Sequence, residues 1–348
     1  MSATASARGH SRLRPVALAW SLLALAAVGV AGVTLGAVSI PPGSVLAEIA
    51  DHLPFIDIDS GLSAQEAAIV WQLRLPRVVL GGLVGGTLAM AGGAYQGVFR
   101  NPLADPYLLG VAAGAGFGAT LAIAAASGAP DLVLAGAAFA GALAAVVLTY
   151  ALGRTAGPRS VAALILAGVA VAAFFTAAQT FVQQRSSDTI REVYAWILGR
   201  LSTVGWREVA LLFPFALLTA AVLFATRRLL DVLAVGEEEA ETLGVRAERV
   251  RLWIVIAATL GTAVAVAVSG LIGFVGIVVP HTIRLLAGHS YRVILPLSLV
   301  GGAVFLVLAD LIARTAISPG ELPIGVVTAF VGAPFFAVVL RTNRVRGA

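Results

Sequence analysis

Apolar stretches follow one another almost without pause along this chain, separated by short punctuations of Arg, Gly and Pro. Ten of them have the length and continuity expected of membrane-spanning helices. They cover roughly 15–38, 72–92, 107–127, 130–152, 160–182, 206–226, 250–269, 272–287, 293–313 and 323–340. The eighth is short and has Gly270, Gly273, Gly276 and Pro280 in or beside it. It is expected to be broken or re-entrant, which is tolerated only against protein or a wet cavity. The first stretch has the basic lead and small-residue end of a signal peptide. Its apolar run is too long for a signal core, so a retained first helix is expected. Polar segments of any size remain only at 39–71 and 228–249, and neither is large enough for a catalytic domain. There is no clear internal repeat at a fixed period.

Composition agrees with this pattern. Of 348 residues, 59% are hydrophobic and 12% charged, about half the charged share of a soluble domain. A soluble enzyme, a disordered chain and a nucleic-acid-binding domain are excluded by those values. The chain has no Cys, hence no disulfide, thiolate metal site or Cys nucleophile. It has no Lys either, so it holds no intact Walker A motif and no Schiff-base Lys. His10, His52, His281 and His289 are not spaced as metal ligands. The net charge of +5 and pI near 10.4 would suggest nucleic acid in a soluble protein. Here the 23 Arg residues read as topology signals. With the N-terminus inside and spans alternating, 16 Arg fall inside and 7 outside, so both termini are expected in the cytoplasm.

Several segments carry candidate function. Gly81, Gly82, Gly85 and Gly86, then Gly110, Gly114 and Gly118, form small-residue stripes that let helices approach closely. Tight packing explains them, with a direct role in moving substrate as the alternative. Arg74-Leu75-Pro76-Arg77 places two permanent charges at the outer mouth of the second span. Arg there can grip a carboxylate or snorkel to headgroups. Asn101 to Pro106 reads NPLADP at the inner face, a helix-breaking loop or a constriction. Between spans six and seven, Gly236-Glu237-Glu238-Glu239-Ala240-Glu241-Thr242-Leu243-Gly244-Val245 suits a short helix with Gly244 as its stop. Ala240 and Leu243 would give it a small apolar face, for docking or simply as a solvated linker. Ser269 to Leu286 reads SGLIGFVGIVVPHTIRLL, and Glu321 to Pro334 reads ELPIGVVTAFVGAP. Asp310 and Arg314 sit four apart, as an ion pair or, for the acid, as a proton relay.

Together the RLPR element, the NPLADP turn, the VPH segment and the ELPIG…GAP end resemble the FecCD-type permeases. Those are membrane subunits of ATP-binding-cassette importers for iron-siderophores, haem and vitamin B12. The resemblance covers about residues 70 to 342. It implies an all-α, polytopic fold of about ten transmembrane helices per chain, vitamin B12 importer-like, in a bacterial inner membrane. It also implies a homodimer, two cytoplasmic ATPase subunits and an extracytoplasmic binding protein, with membrane lipid around it and no nucleic acid. By the same resemblance Arg74, Arg77 and Arg314 receive a glutamate of the binding protein, and Glu237–Val245 forms the coupling helix. Asn101 and Leu103 match an inner gate, with Val161 and Ala162 at its other position. The latter two are apolar where hydroxyls stand in the vitamin B12 branch. Residues 1–14 and 341–348 are then cytoplasmic tails around a permease domain of 15–340. The chain itself is expected to catalyse nothing and to hold no cofactor or metal, since ATP and Mg belong to the partner. An iron-siderophore is the favoured cargo, with haem or cobalamin next. Rival readings are an ion-coupled carrier, for which Asp310 is the candidate acid, and an intramembrane enzyme, for which no cluster exists.

Overall fold

The computed structural model describes residues 13–36, 38–52, 54, 58–126, 128–155, 161–201, 205–317 and 320–346. Most of the N-terminal tail, at 1–12, and the last two residues lie outside that set, as do the side chains of Val161, Glu237 and Glu238. Among the described residues the architecture is entirely helical. In chain order the helices are α1 (Pro15–Thr34), α2 (Pro42–Asp51), α3 (Ala64–Ala68), α4 (Leu75–Val98), α5 (Val111–Ala125) and α6 (Asp131–Thr155). They continue with α7 (Val161–Arg185), α8 (Ile190–Ile197), α9 (Arg207–Val235), α10 (Glu237–Thr242) and α11 (Ala247–Ser269). The last are α12 (Val275–Ala287), α13 (Tyr291–Thr315) and α14 (Ile324–Arg346).

Each of the ten apolar stretches contains one helix. Among the described residues seven helices are long and apolar enough to cross a membrane, and Val111–Ala125, Val275–Ala287 and Ile324–Val339 are shorter apolar helices. The second stretch begins earlier than its apolar run suggests. A helical path runs from Ala64 to Val98, widened at Ile69–Arg74, where Leu75 N–H bonds the Val70 carbonyl five residues back. Such a widened turn absorbs an extra residue without breaking the helix. The last helix continues to Arg346, into residues assigned above to a tail.

Helix α4 is the axis of the bundle, buried on nearly all sides by α9, α11, α12 and α13. Its glycines make this possible. A methyl added at Gly85 would meet the Gly302 carbonyl oxygen at 2.2 Å, and one at Gly302 would meet that of Gly85 at 2.2 Å. Gly114 and Gly141 hold α5 and α6 together in the same reciprocal way, at 2.2 and 2.1 Å. Lipid offers no hydrophobic drive between helices, so dispersion contacts at this range replace it.

The eighth stretch is irregular only at its start, and α12 runs unbroken through Pro280. After α11 the chain turns at Gly270 (φ +71°) and runs irregularly to Phe274 (φ +69°) before α12 begins. Its 13 residues span about 20 Å, short of a hydrocarbon core of about 30 Å. Residues 99–110, ahead of α5, are irregular too. The two irregular segments meet inside the protein. The Tyr107 hydroxyl donates to the Ile272 carbonyl at 3.0 Å and accepts the Ile272 N–H at 3.2 Å. Polar backbone away from water is thereby satisfied.

Candidate functional sites at the two ends of the bundle

Arg74, Arg77 and Arg314 converge at one end, where α4 starts and α1 and α13 finish. The charge pattern alone put them on the same side, and the structure joins them into one cluster. They do not stand as an open rim, because each is held by this chain. Arg77 grips Asp310 with Nε at 3.0 Å and Nη2 at 2.8 Å, and reaches Glu321 through Nη1 and Nη2 at 3.0 and 2.9 Å. Arg314 stands 3.5 Å from Asp310 and donates Nη2 to the Gly32 carbonyl. Arg74 is buried and donates to the carbonyls of Val33 at 2.8 Å, Thr34 at 3.0 Å, and Val38. Two guanidinium groups thus occupy the carbonyl end of α1, where the last turn lacks partners and the helix dipole is negative.

This arrangement bears on two of the expectations. The arginines expected to receive a carboxylate from a partner already hold carboxylates and carbonyls of their own chain. Asp310 is 2% exposed; its ion pair with Arg314, four residues on, is present at 3.5 Å, and Arg77 adds a two-bonded grip at 3.0 and 2.8 Å. Among the described residues no group of three or more acidic or His side chains is placed to hold a metal ion.

The opposite end is built differently. Helix α10 is six residues long and locked at its finish. Val245 N–H bonds the Ala240 carbonyl and Gly244 N–H the Glu241 carbonyl, both at 2.9 Å, with Gly244 at φ +76°. This is the helix stop expected of Gly244. Ala240 is fully buried in the apolar cluster beside Leu230, Leu233 and Ala247. Leu243 does not share that face, and at 69% exposed it points away from the chain. The helix is therefore pinned by one small residue and shows Glu239, Glu241, Thr242 and Leu243 outward. Val245 is half-buried against the same cluster, whereas Glu239, Glu241, Thr242 and Gly244 are exposed.

Asn101 and Leu103 lie just beyond α4 at this end, both exposed. The Asn101 side chain accepts the Leu103 N–H at 3.0 Å, a local turn that holds the leucine outward. Arg100 closes α4 in a left-handed conformation, φ +48°. Ala162 is exposed at the start of α7, and the side chain of Val161 lies outside the described residues.

Two features escaped the motif reading. Within the polar segment 39–71, α2 carries a buried Glu48 that accepts from Ser60 at 2.6 Å and Trp71 at 3.1 Å, with His52 lying over Trp71. Helix α7 carries Thr176, Gln179, Thr180 and Gln183 along a cavity of about 440 Å³. The signal for the second was present, since spacings of three and four place all four on one helix face.

The arrangement defines a class, a polytopic helical membrane permease with its charges gathered at the ends of the bundle. The model of the FecCD transport family matches residues 23–342, and the chain belongs to that family. The match takes in most of α1, beyond the stretch that the motifs cover. The cobalamin import system permease of Halobacterium salinarum is 43% identical over 289 residues, 82% of this chain and 77% of that protein. The hemin transport system permease of Yersinia pestis is 38% identical, over 79% of this chain and 84% of that one. A solved inward-facing structure of a metal-chelate type ABC transporter superposes with a TM-score of 0.82 at 30% identity, covering 94% of this chain and all of that one.

Proposed function

We propose that this chain is the membrane-spanning subunit of an importer for metal chelates, with an iron-siderophore as favoured cargo and haem or cobalamin as alternatives. Two copies form the pathway, two cytoplasmic ATPase subunits supply the energy, and an extracytoplasmic binding protein delivers the cargo. The arginine end faces outward, and both termini lie in the cytoplasm of a bacterial inner membrane. The names of the relatives support this reading, and so does the lack of a nucleotide-binding motif in the chain itself.

The observation that carries it is α10. Pinned to the core through Ala240, it transmits force to α9 and α11, the helices that flank it. Its outward side offers carboxylates and the exposed Leu243 to a partner. An ATPase pair that closes on binding nucleotide would push this ledge and rock the bundle between outward- and inward-open forms. Asn101 and Leu103, with Val161 and Ala162 across from them, form the inner gate. On the outer side Arg74, Arg77 and Arg314 act by exchange. An incoming carboxylate displaces Glu321, which is half-exposed on Arg77.

Removal of residues 237–243 tests the reading. The chain is expected to stay monodisperse and to lose capture of its ATPase. A complex that survives the deletion would move the coupling site elsewhere. An ion-coupled carrier needs an acid able to load and unload protons, and the candidate Asp310 is occupied by Arg77.

A further inference from the structure

We infer that a phospholipid acyl chain, from the leaflet at the arginine end, lodges between α1 and α9 and reaches the central helix α4. Such a site requires a membrane-spanning chain, but no particular cargo and no ATPase. A cavity of about 490 Å³ lies there, walled by Leu25 and Gly29 of α1 and by Phe213 and Leu217 of α9. Its floor is α4 from Val78 to Thr87, with Ala303 and Val307 of α13 beside it.

Loose seating of α1 opens this space. The buried residues of α1 are Gly32, Val33 and Thr34, all at its finish. The rest of the helix leans on α13 and leaves part of α4 uncovered. From Leu80 to Val98 every residue of α4 is buried except Gly82 and Leu83, and both of these line the cavity. Two glycines widen the gap. A methyl added at Gly82 would meet nothing closer than Ala303 Cβ at 3.8 Å, and one at Gly29 nothing closer than Val78 Cγ1 at 4.0 Å. By contrast, methyls at Gly85 and Gly86 would strike backbone carbonyl oxygens at 2.2 and 2.8 Å. Close helix approach therefore accounts for Gly85 and Gly86, but not for Gly82 and Gly29. The side chains these two lack are part of the cavity.

The surroundings name the occupant. Phe213 and Leu217 line the cavity and are also 53% and 58% exposed, so its mouth continues into the apolar surface of the bundle that meets lipid. Thr87 is the one polar residue of the lining, and a water needs two to four polar partners. Hydrocarbon is the medium that fills such a space, and it gains dispersion contacts with the walls. The depth fits one leaflet. Val78 and Thr87 are nine positions apart, about 14 Å along a helix, close to half of a hydrocarbon core of about 30 Å. Val78 follows Arg77 directly, so the tail enters from the arginine end.

The test uses the full chain in phosphatidylcholine nanodiscs doped with phosphatidylcholine that carries a photoreactive diazirine in one tail. Adducts are mapped by peptide mass spectrometry. A diazirine near the terminal methyl is expected to mark Leu83 and its neighbours on α4, and one near the ester to mark Val78 and Val79. Gly82→Leu fills the space, so adducts on α4 should fall about tenfold or more, as expected of a packed interior. Those on Val147 of α6, 66% exposed, should not change. Gly29→Leu fills the cavity from the opposite wall if Gly82→Leu fails to fold. No adduct on α4 in the wild-type chain, or adducts that survive filling, overturns the site. The reverse order of the two probes along α4 overturns the choice of leaflet. If no tail marks α4 and Gly82→Leu breaks a dimer of the chain, the face belongs to a second copy and the lipid site falls. The importer reading fails separately, if the wild-type chain assembled with its ATPase and binding protein takes up no chelate with ATP.

Discussion

The two ends of the bundle use charge in opposite ways. At the arginine end three guanidinium groups turn inward onto Asp310, Glu321 and the carbonyls that finish α1. At the other end Glu239, Glu241, Thr242 and Leu243 turn outward, and Ala240 secures the helix. The first end knits together segments that are distant in sequence, so its charges are structural wherever else they act. The second is secured by few contacts and leaves its surface open, where the proposed function seats the ATPase. Function and stability should therefore separate between the ends, and substitutions can break or sharpen that contrast.

The largest expected effect is at Arg77. Arg77→Ala leaves Asp310 buried with its main partner removed, which should cost about 3–5 kcal/mol. Thermal unfolding in detergent reads it, and an unchanged midpoint would mean that the clamp is ornamental. Arg74→Ala comes next, because it uncaps the carbonyl end of α1. A loss of about 2 kcal/mol is expected from a charge-assisted bond set, with faster proteolysis at the α1–α2 junction as its local signature. Glu321→Gln should cost at most about 1 kcal/mol, since half-exposed ion pairs contribute little. It should also strengthen capture of the binding protein at low salt, and weaker capture would reject the exchange model. The smallest change in stability is expected for Leu243→Asp, within about 0.5 kcal/mol for an exposed site. That variant should nevertheless lose its ATPase in co-purification. If it unfolds instead, the contrast between the ends is wrong.

Much of this fold is legible in one dimension, and the reasons are physical. A bilayer demands about 20 apolar residues per crossing, so each apolar stretch marks a helix directly. The irregular entry to the eighth stretch is legible because Gly270 and Gly273 punctuate it, whereas Pro280 is carried inside α12 without a break. Helices α2 and α8 are not, since they are short, lie in polar segments and owe their order to neighbours such as Trp71 for α2. Arg77 and its partners lie 233 and 244 residues apart. Charge counting places such groups on one side of a membrane and says nothing about who grips whom. Ala240 and Leu243 fail for another reason. Three positions apart they look like one face, but a helix of six residues offers its core just one contact point.

The anchoring of α1 has a consequence for how the molecule is made. The carbonyl of Val33 meets Arg74 across 41 positions of sequence, but that of Gly32 waits for Arg314, 282 positions later. A chain emerging N-terminus first must carry its opening helix half-fastened through nearly all of synthesis. The closing knot ties only when α13 arrives, so a nascent chain stalled before that helix would leave its first segment open to quality-control proteases.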